Sequence, residues 1–369
     1  MLRSQVPAET LRTYLRYGGN TIDTSPYYTV SELVLGHAFA AIKDEFPRES
    51  FQIFTKVGRY GRDEFDYSPE RVRQSVELSC KRLGTDYLDA VYLHDVEFVA
   101  NQFGGAGLAG FTLNGDDGFS ARDLERWGLD PESAGVIRGK GDQAVLKALA
   151  ALFELKDQGK IRAVGFSGYP LPTLLRLARL AMVHFGRPVD LVQSYCHNTV
   201  QNTSLSSYTS LFYGAGVKQI VSASPLSMGL LRDAGPSHEW HPGSAKLKFA
   251  TTEAVALCRA YGTTLERVAL SFGLKSASSD VSRPTPICVG FSRPDEVHEA
   301  MEVYAALQKP PQASNAVESE VAVGANGVVV VETTLPSPGS EDAPQLDLEV
   351  EVMDVYKRHG TFNWVWAVP

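Results

Sequence analysis

The chain has no uncharged run long enough to cross a bilayer, and its opening, Met1-Leu-Arg-Ser-Gln-Val-Pro-Ala-Glu9, has no apolar core of signal-peptide length. The expectation is a cytoplasmic protein with no membrane partner. It also lacks a basic patch. A formal net charge of -8 argues against nucleic acid or an anionic lipid surface as a partner, because phosphate backbones are held by clustered Lys and Arg. Cysteine is scarce. Cys80, Cys196, Cys258 and Cys288 stand far apart without a metal-ligand rhythm, and mostly inside apolar segments, so reduced core thiols are expected. No Gly-x-Gly-x-x-Gly follows an early strand, which weakens an open dinucleotide-binding sheet.

What is present is an alternation of two periods. With 369 residues and 44% hydrophobic content, the chain can build one large core. Helical spacing runs over 8–17, 31–43 and 69–83, the last opening at Ser68-Pro69 and closing at Gly84. Further helices are expected over 143–158, 171–185, 244–261, 265–276 and 294–307. Between them lie short apolar runs of strand character: 20–23, 51–56, 87–94, 163–166, 191–194, 219–223 and 286–289. Repeated βα units imply a parallel sheet, and their number favours a TIM (β/α)8-type barrel. The count is seven where a closed barrel takes eight, so the first strand is expected to be missing at the N-terminus.

Two segments break the alternation. Residues 100–141, rich in Gly and Asp, read as a long insertion at the barrel mouth within a barrel of residues 1–309. Residues 310–344, with Pro310-Pro311 and a small-residue tract, read as low-complexity sequence, either a solvated linker or, at 327–332, an edge strand. Residues 345–369 are expected to return to the barrel as a helix over 348–359 and an aromatic tail, Phe362-Asn-Trp-Val-Trp366.

Asp23, Tyr28, Lys56 and His94 each stand at or just beyond the end of a predicted strand, so the fold would bring them to one mouth. Taken singly, an Asp after a strand caps a turn, a Tyr beside Pro26 packs at a rim, and a Lys or His at a barrel end is solvated. Four together at successive strand ends point to proton transfer instead. Hydride chemistry at a carbonyl or alcohol carbon needs a group that moves a proton on oxygen. A phenol with ordinary pKa near 10 does that only when a cation stabilises its anion.

These residues carry a resemblance. Asp23-Thr-Ser-Pro-Tyr-Tyr28, Ser31-Glu32, Leu35-Gly36, the Lys56 and His94 strands, Ser194-Tyr-Cys-His197, Ser222-Ala-Ser-Pro-Leu-Ser-Met-Gly-Leu-Leu231 and Glu239-Trp-His-Pro242 are together similar to the aldo-keto reductase superfamily. Within it the chain most resembles the L-galactose dehydrogenase and fungal D-arabinose 1-dehydrogenase group. The resemblance implies Tyr28 as general base, selected over Tyr27 by its five-position step from Asp23. It implies Lys56 lowering the phenol pKa, Asp23 fixing Lys56, and His94 orienting the reacting hydroxyl.

The same resemblance implies a nicotinamide cofactor. Ser167 and Gln193 would bond its carboxamide, and Ser224, Leu226 and Met228 would line the pyrophosphate path. Gly290, Ser292, Arg293 and Glu296 would hold the adenosine end near a helix N-terminus. Glu296 stands where many relatives carry an Arg for a 2'-phosphate, and a carboxylate repels that phosphate. NAD is therefore expected over NADP, with Arg293 close enough to work against it. No metal is expected, because Cys196 and His197, adjacent on a strand, point to opposite faces. The implied activity is oxidation of the anomeric carbon of a free aldose, of D-arabinose or L-galactose type, to its lactone, a sugar being the small-molecule partner. The missing strand, and Thr29 and Val30 where Gly and Pro are common, keep the alternative of an impaired barrel acting as a binding or scaffold protein; a narrower alternative is an NADP-dependent aldehyde reductase, with Glu296 the feature against it.

Overall fold

Strands buried on both faces form the centre of the molecule. In the computed structural model, which describes residues 4–101, 120–234, 241–277, 283–308 and 345–366, the strand Leu88–His94 is buried at all seven positions. That is the pattern of a parallel sheet covered by helices. In chain order the elements are α1 (Val6–Arg16), β1 (Thr21–Asp23), α2 (Ser31–Ile42), β2 (Gln52–Val57), α3 (Pro69–Leu83), β3 (Leu88–His94), α4 (Ala121–Trp127), α5 (Lys140–Asp157), β4 (Ile161–Gly168), α6 (Leu171–Phe185), β5 (Leu191–Tyr195), α7 (Leu205–Gly214), β6 (Gln219–Ala223), α8 (Ala245–Ala260), α9 (Leu265–Ala277), β7 (Ile287–Cys288), α10 (Pro294–Gln308) and α11 (Gln345–Arg358).

The seven strands pair in parallel in the order β1-β2-β3-β4-β5-β6-β7. All their C-terminal ends therefore emerge on one side. Phe54, Tyr92, Ala163, Leu191, Val221 and Cys288, one from each of β2 to β7, fill the interior, and a larger apolar layer packs between sheet and helices. This is the nearly closed barrel that the alternation predicted, with seven strands as counted. Among the described residues β1 pairs with β2 alone and β7 with β6 alone. A cavity of about 1390 Å³ lies between those two edges, bordered by Ile22 and Phe54 on one side and Ile287 and Val289 on the other. Helix α1 packs on α2 and α10 beside this gap.

Local chemistry explains the boundaries. Pro69 opens α3 because its missing N–H lies in the turn that has no intrahelical acceptor. Gly84 closes it at φ +68°, its N–H bonded to the Cys80 carbonyl. Two helices escape the sequence reading. α7 is rich in Ser and Thr, which favour turns and caps, yet it buries Leu205, Tyr208 and Phe212 on one face. α4 lies inside the Gly- and Asp-rich segment, followed by the buried Leu129. The strand expected over 163–166 extends to Ile161–Gly168, and that expected over 286–289 contracts to Ile287–Cys288.

The two described ends of the 100–141 segment are clasped by Asp142. Its carboxylate accepts from the amides of Asn101 (3.1 Å) and Arg138 (2.9 Å) and from Arg176 at 2.8 Å on each oxygen. Helix α11 packs on α8 and α9, and Trp366 stacks on Tyr169 with ring centroids 4.4 Å apart. All four cysteines are free thiols, two buried and two half-buried. Residues 327–332, as well as Glu239 and Trp240 of the quoted motif, lie outside the described residues. No helix among those described is long and apolar enough to cross a membrane.

Candidate active site

Asp23 ends β1, Lys56 is the penultimate residue of β2, and His94 ends β3. Because the three strands are adjacent and parallel, the three side chains emerge together, and Tyr28 joins them from the turn before α2. Lys56 is only 1% exposed. Its ammonium is ion-paired with Asp23, donates to the Thr24 carbonyl at 3.1 Å, and lies 4.9 Å from the centre of the Tyr28 ring. The second Asp23 oxygen accepts from Gln193 Nε2 at 3.1 Å, and Gln193 Oε1 accepts from Ser167 Oγ at 3.2 Å. One hydrogen-bonded chain thus joins the expected nicotinamide residues to the expected proton-transfer residues.

Burial works against the Lys56 charge, but Asp23 holds its pKa well above the ordinary value. Tyr28 is 42% exposed as a residue, yet its hydroxyl end is turned into the mouth. Loss of solvent pushes the phenol up and the Lys56 charge pulls it back, the balance falling above the ordinary value of 10. The cation acts in the expected direction but does not win against burial. His94 packs edge-on to Tyr27 and Tyr28, each 5.7 Å away, and its Nδ1 is 3.1 Å from Ser25 Oγ. Burial, then Lys56 and Arg59, push its pKa well below 6.5, so the ring is neutral near neutral pH.

Several neighbours escaped the sequence reading. Arg59 is ion-paired with Asp95, and its guanidinium covers the Tyr27 ring at 4.1 Å. Asp95 lies 3.6 Å from His94 Nε2. The Tyr67 hydroxyl donates to the His94 carbonyl at 2.6 Å, and Gly58 sits at φ +100° where a Cβ would meet the Tyr67 ring at 2.3 Å. A second acid directly after His94 was the available signal.

The expected cofactor residues divide into two groups. Gln193, Gly290 and Ser292 border the same cavity as Asp23 and Tyr28, which suits an extended ligand reaching from the β7 loop to the proton-transfer residues. Ser224 and Met228 lie in a loop of left-handed residues, Ser224 at φ 60°, Ser227 at 50° and Met228 at 54°. There Ser224 Oγ accepts from the Met228 amide at 2.8 Å. The Met228 side chain packs with Tyr169, Cys196 and Trp366, and Leu226 packs into the α8–α9–α11 core. Arg293 is paired with Asp295 at 3.1 Å and Glu296 at 3.7 Å, while Glu296 also accepts from the Ser292 amide at 2.6 Å. Among the described residues no group of His, Cys, Asp and Glu is arranged to hold a metal. A buried ammonium beneath a phenol, beside a neutral imidazole, can move a proton on a substrate oxygen.

A family model described as "Aldo/keto reductase family" matches residues 4–320. The chain is 35% identical over 301 residues to L-galactose dehydrogenase from Arabidopsis thaliana, covering 81% of this chain and 78% of that protein. It is 34% identical over 303 residues to D-arabinose 1-dehydrogenase from Saccharomyces cerevisiae, covering 81% and 77%. Among solved structures it resembles the glycerol dehydrogenase of Gluconobacter oxydans, with TM-score 0.53, 17% identity and 95% and 85% of the two chains covered. That likeness concerns the fold.

Proposed function

This chain belongs to the aldo/keto reductase family, whose members use nicotinamide cofactors, and from that premise we propose that it oxidises the anomeric carbon of a free aldose to the lactone with NAD. D-arabinose and L-galactose are the substrate types, from the names of the two relatives that each cover 81% of the chain. The observation that carries the reading is the Lys56–Asp23 pair buried under Tyr28, with neutral His94 set against the same ring.

In the forward direction the anomeric O–H gives its proton to the Tyr28 phenolate while the C1–O bond gains its second bond. A bound nicotinamide would supply the acceptor for the hydride that C1 loses, with Ser167 and Gln193 holding its carboxamide and Gly290 and Ser292 its far end. Lys56 stabilises the phenolate and Asp23 keeps Lys56 charged and in place. His94 holds the reacting oxygen. The Ser25 oxygen already accepts from the Tyr27 amide at 3.1 Å, so its O–H is available to donate to Nδ1. With Ser25 donating to Nδ1, the neutral ring would carry its proton on Nε2, the nitrogen 3.6 Å from Asp95 Oδ2, from which it would donate to the substrate oxygen.

NAD is supported over NADP by the start of α10. Arg293 is engaged by two carboxylates, and a 2'-phosphate there would meet Asp295 and Glu296. The test is reduced-nicotinamide absorbance with each cofactor and with D-arabinose, L-galactose, L-fucose and a simple aldehyde. NADH formation with a free aldose is the expected result. Activity restricted to NADPH and aldehydes would replace the reading with an aldehyde reductase. The gap between β1 and β7 favours a second reading, a barrel that binds nucleotide without turnover. NAD binding with no reaction across the panel would establish it.

A further inference from the structure

Gln193 reaches Asp23 across the barrel interior. Strands β5 and β1 are not neighbours in the sheet, yet Gln193 Nε2 donates to the second oxygen of Asp23 at 3.1 Å. The amide is 3% exposed and its orientation is fixed. Its other end, Oε1, accepts from Ser167 Oγ at 3.2 Å, and a reversed amide would set that oxygen against a carboxylate. Asp23 is therefore shared. One oxygen holds the Lys56 ammonium and the other holds Gln193, so the negative charge that Lys56 feels depends on how strongly the amide donates.

The same amide borders the cavity that suits the nicotinamide. Because its N–H is spent on Asp23, what it offers a carboxamide is the remaining acceptor capacity of Oε1. An N–H received there polarises the amide and strengthens its donation at the far end. Asp23 then offsets less of the Lys56 charge, and more of that charge acts on Tyr28, whose ring centre lies 4.9 Å from the ammonium. The other groups around this path are Asp95 after β3, which faces the phenol as a charge, His94, edge-on as a neutral ring, and Cys288 of β7, a neutral thiol facing Asp23 and Lys56.

We propose that Gln193 is a positioning residue that couples the two halves of the site, so that through Asp23 and Lys56 the filling of the carboxamide pocket and the ionisation of Tyr28 favour each other. The inference rests on the nicotinamide-dependent reading and names how the cofactor pocket sets the base. Such coupling is reciprocal. The dinucleotide binds more tightly as Tyr28 ionises, and its binding drives a proton off Tyr28. The base is thereby readied when the hydride acceptor is in place.

The test counts protons released per NAD bound, by calorimetry at about pH 9 in buffers of different ionisation heat. Wild type should release a fraction of a proton and Tyr28→Phe none. Gln193→Met, which keeps the length of the side chain without its N–H, should release about half as much as wild type or less. Ser167→Ala should bind NAD more weakly yet release the wild-type number. Equal release by wild type and Gln193→Met would leave the ring charge of the bound nicotinamide as the whole cause and overturn the proposal. Equal drops in Gln193→Met and Ser167→Ala would reduce both residues to contacts with the carboxamide and overturn it too. If Gln193→Met no longer binds NAD, the free proteins decide, by phenolate absorbance in excess of the matching protein that also carries Tyr28→Phe. The midpoint should lie about one pH unit higher in Gln193→Met than in wild type, and equal midpoints overturn the coupling. Gln193→Asn, whose shorter amide cannot span the same two partners, takes its place if Gln193→Met does not fold. Proton-linked NAD binding without aldose oxidation would sink the dehydrogenase reading and leave the coupling standing, whereas a wild type that binds no NAD would overturn both.

Discussion

At the bottom of the barrel Asp89 and Asp190 are as buried as Asp95 is at the mouth, with 5, 6 and 5% exposure, and all three are paired with cations. Their surroundings differ. Asp89 accepts from Arg48 at 2.6 Å, Arg162 at 3.0 Å and the Ile53 amide at 2.9 Å. Asp190 accepts from Lys156 at 2.5 Å, Lys218 at 2.9 Å and the Val164 amide at 3.0 Å. Burial pushes the Asp190 carboxyl up, but these bonds carry it below the ordinary range. At Asp95 burial outweighs Arg59 and the carboxyl is raised.

Backbone strain follows the same division. Thr29, Asp95, Cys196 and Ser224, non-glycine residues with left-handed φ, all lie in loops leaving the C-terminal ends of β1, β3, β5 and β6. Asp89 ties β3 to β2 and β4, Asp190 ties β4 to α5, and each is matched by two cations and an amide. At the mouth burial makes Tyr28, His94 and Asp95 ionise with more difficulty, while Lys56 and Arg59 are held charged by their carboxylate partners. Asp190 and Asp95, at like depth, thus shift in opposite directions according to how fully their partners match them.

The comparison is broken most sharply at Tyr28. Tyr28→Phe removes the proton acceptor and leaves the ring packing, so aldose oxidation should fall by about 10²–10⁴-fold with the melting temperature unchanged. In the wild type, oxidation should rise with pH over the alkaline range, because the Tyr28 phenol is raised while His94 is already neutral. A rate-controlling ionisation between pH 6 and 7 in the pH–rate profile would contradict that assignment.

A bottom substitution should do the reverse. Asp190→Ala strands two lysines and an amide, and should lower unfolding free energy by about 3–5 kcal/mol in urea titration with turnover per folded molecule retained. Because the Asp190 pKa is depressed on folding, its contribution is present above the unfolded value of about 3.9 and disappears as pH falls through the folded one. The difference in stability between wild type and Asp190→Asn should therefore shrink on acidification. A constant difference from pH 7 to pH 3 would remove Asp190 from the account.

The smallest expected effect sharpens the strain half of the comparison. Thr29 is a β-branched residue at φ 54° in an exposed turn. Thr29→Gly should raise stability by about 1 kcal/mol, seen as a higher melting temperature, because glycine adopts that backbone without a Cβ clash. A lower melting temperature would mean that the turn gains more from the Thr29 side chain than it loses to strain.

Much of this was legible before folding. The seven apolar runs, the helical spacing between them, and Asp23, Tyr28, Lys56 and His94 at strand ends are local patterns, and parallel βα repetition converts them into one mouth. α7 was hidden because its Ser and Thr residues carry a turn signal that packing of Leu205, Tyr208 and Phe212 overrides. The Arg59–Asp95 pair was hidden because 36 residues separate two charges that look solvated when taken alone.

The sequence by itself determined the order of strands and helices and which acids, bases and phenols stand at their ends, because periodicity and turn chemistry act over a few residues. Tertiary structure alone decided which charges met, how dry they became, and that β1 and β7 border a shared cavity. The protonation behaviour of Tyr28, His94, Asp95 and Asp190 depends on desolvation and on partners from distant strands, and neither exists until the barrel has formed.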